Sequence, residues 1–123
     1  MKPAAAPRRY LPPLAWMGLI FAFSHQPRLP EVGGPWLDFV FKKGLHALAY
    51  AILAWLWLRA LDPHRTGSPA ARRTAFLICL AWALSDEWHQ TFVPGRTGRL
   101  RDVAIDMVGS WVVLRGWRGS GDR

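Results

Sequence analysis

The sequence predicts an all-α membrane protein, with four transmembrane helices packed as a compact bundle. Four apolar stretches recur along its 123 residues, and 51% of all residues are hydrophobic. The formal net charge is +8, yet the basic residues avoid the apolar stretches and collect between them. Eight tryptophans are present, and Trp is enriched where a membrane meets water.

The predicted helices cover residues 10–25, 42–61, 73–93 and 101–117, and we expect them to form one domain. Pro12 and Pro13 suit the first turn of a helix, whose N–H groups lack helical partners anyway. Pro94-Gly95 is a pair that stops the third helix. The apolar runs are shorter than the roughly 20 residues of a typical span. However, residues 47–58 are apolar on every side, which is not the pattern of a soluble helix.

The distribution of basic residues predicts the orientation. Ten of the 16 Lys and Arg residues lie in the two termini and the loop between the second and third helices, and six lie on the opposite side. Because cytoplasmic loops carry the excess of Lys and Arg, both termini are expected in the cytoplasm of a bacterial inner membrane. The basic residues form no stripe along a helix, so nucleic-acid binding is not expected.

Polar residues of all four segments are predicted to meet at the outer ends of the helices. Ionisable groups inside a membrane are costly unless they are paired, so they are candidates for function. The candidates are Ser24 on the first helix, Lys43, His46 and Tyr50 on the second, Asp86, Glu87 and Gln90 on the third, Arg96 and Arg99 in the following loop, and Asp102 and Asp106 on the fourth. Helical spacing places Lys43, His46 and Tyr50 on one face.

Two roles are open for the acids of the third helix. Asp86 and Glu87, together with His46, are candidates for general acid–base catalysis. The alternative is a buried ion-pair network that fixes helix register, with the partners drawn from Lys43, Arg96 and Arg99. The same three basic side chains, together with Lys42, are suited to an anionic headgroup, and contact with bulk anionic lipid is the less specific alternative.

Other candidate chemistries have weaker support in the sequence. His46 and His89 could bind zinc together with the acids, but no H-E-x-x-H or Cys-rich spacing occurs, so we expect neither a metal nor a cofactor. No nucleophile-elbow sequence surrounds Ser24. Cys79 lies in an apolar run and is expected to be a small buried side chain. Gly109 and the adjacent Ser110 are expected to permit close helix packing.

The segment that joins the third and fourth helices resembles the VanZ-like family of small bacterial membrane proteins. Residues 85–98 read S-D-E-W-H-Q-T-F-V-P-G-R-T-G, similar to that family's D-E, Q and F-x-P-G-R. The run from Asp102 to Gly109 is similar to its D-x-x-x-(N or D)-x-x-G, with Asp106 where many members have Asn. The patterns K-x-x-H-x-x-x-Y at 43–50 and S-x-Q-P at 24–27 are similar to its second and first helices.

The resemblance runs from about Ile20 to Leu114 and implies a role in the bacterial cell envelope. The name-giving member is linked to resistance to the antibiotic teicoplanin, and no reaction carries over from the family. We therefore expect the protein to recognise an anionic lipid-linked envelope molecule, such as a polyprenyl phosphate. In that hypothesis the phosphate is held by Lys43, Arg96 and Arg99, protons are handled by Asp86, Glu87 and His46, and these groups are oriented by Gln90, Asp102 and Asp106.

The sequence leaves further questions and alternative functions open. It does not decide whether the bound molecule is also chemically processed, or what the oligomeric state is. A structural or partner-binding membrane protein would use the same polar network to fix helix packing. A small transporter or proton pathway is a further alternative, although it needs polar groups that continue toward the cytoplasmic ends of the helices.

Overall fold

The computed structural model of the protein describes residues 7–24, 33–92 and 100–117. A short 3₁₀ turn, Pro7–Tyr10, leads directly into α1 (Leu11–Ser24), which is followed by α2 (Pro35–Leu61), α3 (Pro69–Gln90) and α4 (Leu100–Gly116). No strand occurs within these ranges. The predicted all-α class and the four helices are confirmed.

α2 begins at Pro35, seven residues before the predicted start at residue 42. Gly34 precedes it in an extended conformation, and Pro35 lies in the first turn, where its fixed φ suits the start of a helix. Residues 36–41 then continue the helix, with Asp38 as their one charged residue. The predicted boundary was wrong because it followed the uninterrupted apolar run, which begins only at Leu45.

α3 also begins earlier than predicted, at Pro69 rather than residue 73. The hydroxyl oxygen of Ser68 accepts a hydrogen bond from the backbone N–H of Ala71 at 3.1 Å. This N-cap satisfies one of the N–H groups that have no partner within the first helical turn. Ser68 followed by Pro69 is a helix-start signal, and it was present in the sequence.

α2 packs against each of the other three helices, and its largest interface is with α4. The centre of the core is formed on α2 by Tyr50, Leu53, Ala54 and Leu58, all fully buried. α3 contributes small buried side chains at every fourth position, which are Ala71, Ala75, Cys79 and Ala83. Because residues four apart share one helix face, this seam lets α3 approach its neighbours closely. Cys79 is buried, as predicted.

Large apolar side chains are exposed on every helix. They are Leu11, Leu14, Leu19 and Phe23 on α1, Trp36, Leu37, Phe39, Val40, Phe41, Leu45, Leu48 and Trp55 on α2, Leu77, Leu84 and Trp88 on α3, and Val108, Trp111 and Val112 on α4. Carboxylates, by contrast, are buried on α3 and α4. Water-soluble proteins rarely expose large continuous apolar surfaces, so this outer surface calls for an apolar covering.

Among the described helices, only α2 has both the length and the composition of a membrane span. Its most apolar window has a mean hydropathy of 1.4, and only 33% of that window is buried. α1 has 14 residues and α4 has 17, which is short for a span. The four-span prediction is therefore supported directly by one helix.

The loop between α2 and α3 is organised around one buried carboxylate, Asp62. Its oxygens accept hydrogen bonds from both N–H and hydroxyl of Thr66, from the N–H groups of Gly67 and Ser68, and from the indole N–H of Trp117, over distances of 2.8 to 3.2 Å. Burial alone would raise the pKa of Asp62, but these donors outweigh it and hold the pKa well below the usual range. Asp62 thus ties the loop to the end of α4.

Replacing Asp62 with asparagine should destabilise the folded protein by about 2–3 kcal/mol at neutral pH, because an amide cannot accept all of these bonds. A carboxylate whose pKa is lower in the folded protein than in the unfolded chain stabilises the fold at every pH above the unfolded-chain value. That stabilisation is lost as the pH falls below about 4. The wild type should therefore lose thermal stability in detergent on acidification, and Asp62→Asn should lose much less.

The matched control is Asp38→Asn. Asp38 pairs with Lys42 one helical turn away at 3.1 Å, near the start of α2, and such pairs contribute only a few tenths of a kcal/mol. An Asp62→Asn unfolding midpoint equal to that of Asp38→Asn would contradict the assigned role of Asp62.

Candidate functional site

α2 and α4 lie side by side at backbone contact. A Cβ atom built on Gly109 would overlap the backbone carbonyl of Ala47, so only glycine fits at this point. One residue further along α4, the Ser110 hydroxyl donates a hydrogen bond to the Tyr50 carbonyl at 3.0 Å. Contacts advance along both helices together, so α2 and α4 run in the same direction. The predicted close packing at Gly109 and Ser110 is confirmed.

The parallel arrangement brings the bases of α2 opposite the acids of α4. Lys43 Nζ lies 2.7 Å from Asp102 Oδ1, and the Asp102 side chain is only 9% exposed. Asp102 is in the first turn of α4, where the positive end of the helix dipole also favours a carboxylate. An ion pair this short in a poorly hydrated position is a strong, charge-assisted contact.

One turn deeper, His46 meets Asp106. His46 Nδ1 lies 3.3 Å from Asp106 Oδ1, and the Asp106 side chain is 1% exposed. The contact is an ion pair when the imidazole is protonated, and the second carboxylate oxygen of Asp106, Oδ2, has no hydrogen-bond partner within the described ranges. The buried hydroxyl of Tyr50 also has no hydrogen-bond partner there. A buried polar group without a hydrogen-bond partner lowers the stability of the fold by about 1–3 kcal/mol.

α3 adds two further acids to the same layer. Asp86 is 2% exposed and Glu87 is 6% exposed, and both lie in the last two turns of the helix. Asp86 is close enough to His46 and Tyr50 to interact with both electrostatically. Three helices therefore supply one group of interacting side chains, called here the polar cluster, which consists of Lys43, His46, Tyr50, Asp86, Glu87, Asp102 and Asp106.

Most of the candidate residues are thus brought together, while four fall partly or wholly outside the description. Ser24 and Gln90 are the last residues of α1 and α3, and their side chains are not described. Arg96 and Arg99 lie outside the described residues altogether. The roles assigned to the candidates, whether in binding or in proton transfer, stay predictions.

His89, near the end of α3, contacts its own helix and α1. Its Nδ1 is 2.9 Å from the backbone carbonyl oxygen of Ser85, and its ring meets the ring of Phe21 on α1 edge to face at 5.1 Å. It therefore connects α3 with α1. In the part of the chain that the structure describes, no three His, Cys, Asp or Glu side chains are grouped to hold a metal.

The pairing of α2 with α4 was missed by the sequence analysis, which gave Asp102 and Asp106 only an orienting role. A signal was present: Lys43 and His46 are three apart, and Asp102 and Asp106 are four apart, so each pair occupies one helix face. Complementary charges at matching spacing on two helices that start on the same side indicate direct pairing. Helix order in the bundle was still needed to choose α4 over α3 as the partner.

Comparison with known protein families decides the affiliation. The VanZ/LLP1 family model matches residues 10–117, which is most of the chain. The protein belongs to the VanZ/LLP1 family. No curated protein and no solved structure matches the chain.

Membership in the VanZ/LLP1 family, together with the apolar helix α2, identifies a membrane protein. The match confirms the resemblance read from the motifs, and it includes every residue of the polar cluster. The VanZ/LLP1 match also extends from the 3₁₀ turn to Trp117, so both ends of the bundle belong to the shared domain.

Proposed function

We propose that the protein crosses a bacterial inner membrane four times, with both termini in the cytoplasm, and that its polar cluster binds the phosphate of an anionic lipid-linked envelope molecule. The exposed apolar side chains on all four helices support four spans, because hydrocarbon is a better solvent for them than water. The excess of Lys and Arg in the termini and the second loop supports the orientation.

The observation that carries the binding proposal is the unequal exposure of the paired side chains. Lys43 and His46 are each 26% exposed, whereas their partners Asp102 and Asp106 are 9% and 1% exposed. The acids form the floor of the polar cluster and the bases form its rim. An entering anion therefore meets cationic N–H donors first, and these donors form the strongest hydrogen bonds to phosphate.

The deeper groups suit the polar remainder of such a ligand. The Tyr50 hydroxyl and the Asp106 carboxylate are buried, and within the described ranges the hydroxyl and Asp106 Oδ2 have no hydrogen-bond partner. A sugar or phosphate hydroxyl that reached between α2 and α4 could donate to Asp106. Asp86, Glu87 and His46 are the groups that would transfer protons if the ligand were also processed, and Arg96 and Arg99 would add further donors.

A structural role for the polar cluster is the second candidate. The two ion pairs between α2 and α4 favour it, because a pair buried between helices fixes their register. A transport role has less support, because the described core residues between Ser110 and Asp62 are apolar or aromatic, among them Leu53, Trp57 and Leu58. A single chain therefore offers no continuous polar route through the bundle in its described ranges.

The test is native mass spectrometry of the protein purified in mild detergent. The double substitution Lys43→Gln with Asp102→Asn removes the cation while leaving no unpaired buried charge. We expect it to reduce co-purifying phospholipid or polyprenyl phosphate about tenfold, the loss of one charge-assisted contact. Lys42→Gln is the matched control, because the adjacent Lys42 pairs with Asp38 of its own helix, and it should change lipid retention less than about twofold.

Equal losses in the double variant and in Lys42→Gln would mean nonspecific charge attraction and would overturn the proposal. Unchanged lipid in a folded double variant would also overturn it. If Lys43→Gln alone then lowered the unfolding midpoint, the result would favour the structural role.

A further inference from the structure

The opposite end of the bundle contains an open cavity of about 900 Å³. It lies between the 3₁₀ turn before α1, the last turns of α2, the loop that follows and Trp117 at the end of α4. Arg59, on the wall of the cavity, lies 16 positions after Lys43 on α2. That distance is about 24 Å along a helix. The cavity is therefore distinct from the polar cluster.

The cavity wall is strongly cationic. Four arginines line it, Arg8, Arg9, Arg59 and Arg65, and the one carboxylate in the lining is Asp62. Asp62 already accepts five hydrogen bonds from its own loop and from Trp117, so its oxygens are committed to the fold. Within the described ranges the ion pairs found involve none of Arg8, Arg9 and Arg59.

Aromatic rings contact three of the four guanidinium groups, and the first of these is Arg9, which lies over Tyr10 at 5.2 Å from the ring centroid. Arg59 lies over Trp55 at 4.7 Å, and Arg65 lies over Trp117 at 4.5 Å from the ring centroid. The ring contact orders the Arg59 side chain. Its guanidinium carries several N–H donors, which can bind phosphate oxygens in a bidentate manner.

The loop that carries Arg65 is preorganised. Arg65 has a positive φ of 50°, a conformation that costs a non-glycine residue about 1–3 kcal/mol. Its N–H donates to the carbonyl of Asp62 at 2.9 Å, and the Asp62 side chain fixes the residues that follow. The fold thus stabilises a strained backbone that directs an arginine to the cavity wall.

We propose that this cavity binds the phosphate of an anionic phospholipid headgroup. Its volume exceeds what a phosphate ion needs and can take the adjoining glycerol as well. Apolar surface continues from the arginines along Leu56 and Trp55, and Trp55 is 43% exposed. A ligand with an anionic head next to an apolar tail matches this arrangement, and phosphatidylglycerol is the simplest example.

The test measures binding of soluble short-chain phosphatidylglycerol to the full-length protein in detergent. Arg9→Gln and Arg59→Gln, both at exposed positions, should each weaken binding about fivefold, and the double variant about 25-fold. Arg73→Gln is the matched control, because Arg73 is exposed near the start of α3 at the same end of the molecule and does not line the cavity. It should leave the affinity within about twofold.

Three comparisons decide the result. An Arg73→Gln effect as large as that of Arg59→Gln would reduce the cavity to diffuse surface charge and overturn the proposal. Equal affinity for short-chain phosphatidylcholine would remove the requirement for an anionic headgroup. Equal affinity for free glycerol phosphate would overturn the assignment to a lipid. Arg9 and Arg59 lie at the end of the bundle opposite Lys43, so the effect of their substitution on phosphatidylglycerol binding is independent of the polar cluster.

Discussion

Gly109→Ala should destabilise the protein by about 3 kcal/mol or more, enough to remove most folded protein from the membrane. The added methyl group would overlap the backbone carbonyl oxygen and carbonyl carbon of Ala47. Backbone atoms cannot turn aside as a flexible side chain can, so α2 and α4 would have to separate along their whole interface. The thermal unfolding midpoint in detergent and the amount of protein in isolated membranes measure the effect.

Gly44→Ala is the control for this prediction. Gly44 lies on α2, and a Cβ atom built there meets nothing within 4 Å. Since alanine favours a helix over glycine, this substitution should be neutral or stabilising by up to about 1 kcal/mol. The two identical substitutions are thus expected to act in opposite directions. If Gly109→Ala melted at the same temperature as Gly44→Ala, the close approach of α2 and α4 would be refuted.

His46→Leu should cost about 3–5 kcal/mol, because it leaves the Asp106 carboxylate buried beside an apolar side chain. Adding Asp106→Leu removes that charge, so the double variant should recover much of the lost stability. A double-mutant cycle from unfolding midpoints should therefore give a coupling energy of about 2 kcal/mol or more between the two residues.

The Asp38–Lys42 pair provides the comparison cycle. It is also an ion pair, at 3.1 Å, but its side chains are 17% and 27% exposed and lie one turn apart on the same helix. Its coupling energy should not exceed about 0.5 kcal/mol. Equal coupling energies in the two cycles would mean that burial of Asp106 does not strengthen its interaction with His46. Lipid retention by the His46→Leu, Asp106→Leu variant would further separate a purely structural pair from one that contributes to binding.

The helices and the polar layer could be predicted from sequence because both depend on local patterns. Apolar runs that end at Pro and Gly predict the helices. Polar residues at the corresponding ends of those runs predict the polar layer. The start of α2 was missed because Asp38 and Lys42 interrupt the apolar pattern, although they pair with each other along the same helix. Local signals at Gly34-Pro35 would have placed it correctly.

Contacts between distant parts of the chain could not be predicted in the same way. The bond between Trp117 and Asp62 joins residues 55 positions apart, and nothing in either local sequence indicates the other. The partner of Lys43 depended on which helix lies beside α2. Spacing restricts such choices, but only the packed bundle decides among them.

The unequal lengths of the helices have a consequence for the surrounding bilayer. α2, with 27 residues, extends about 40 Å, whereas α1, with 14 residues, extends only about 21 Å. A hydrocarbon layer of about 30 Å cannot match both. In the proposed four-span arrangement, α2 must either tilt or extend beyond the hydrocarbon layer, with Trp36 among the lipid headgroups. The bilayer beside α1 must become thinner. The two sides of one small protein would therefore deform the membrane in opposite senses.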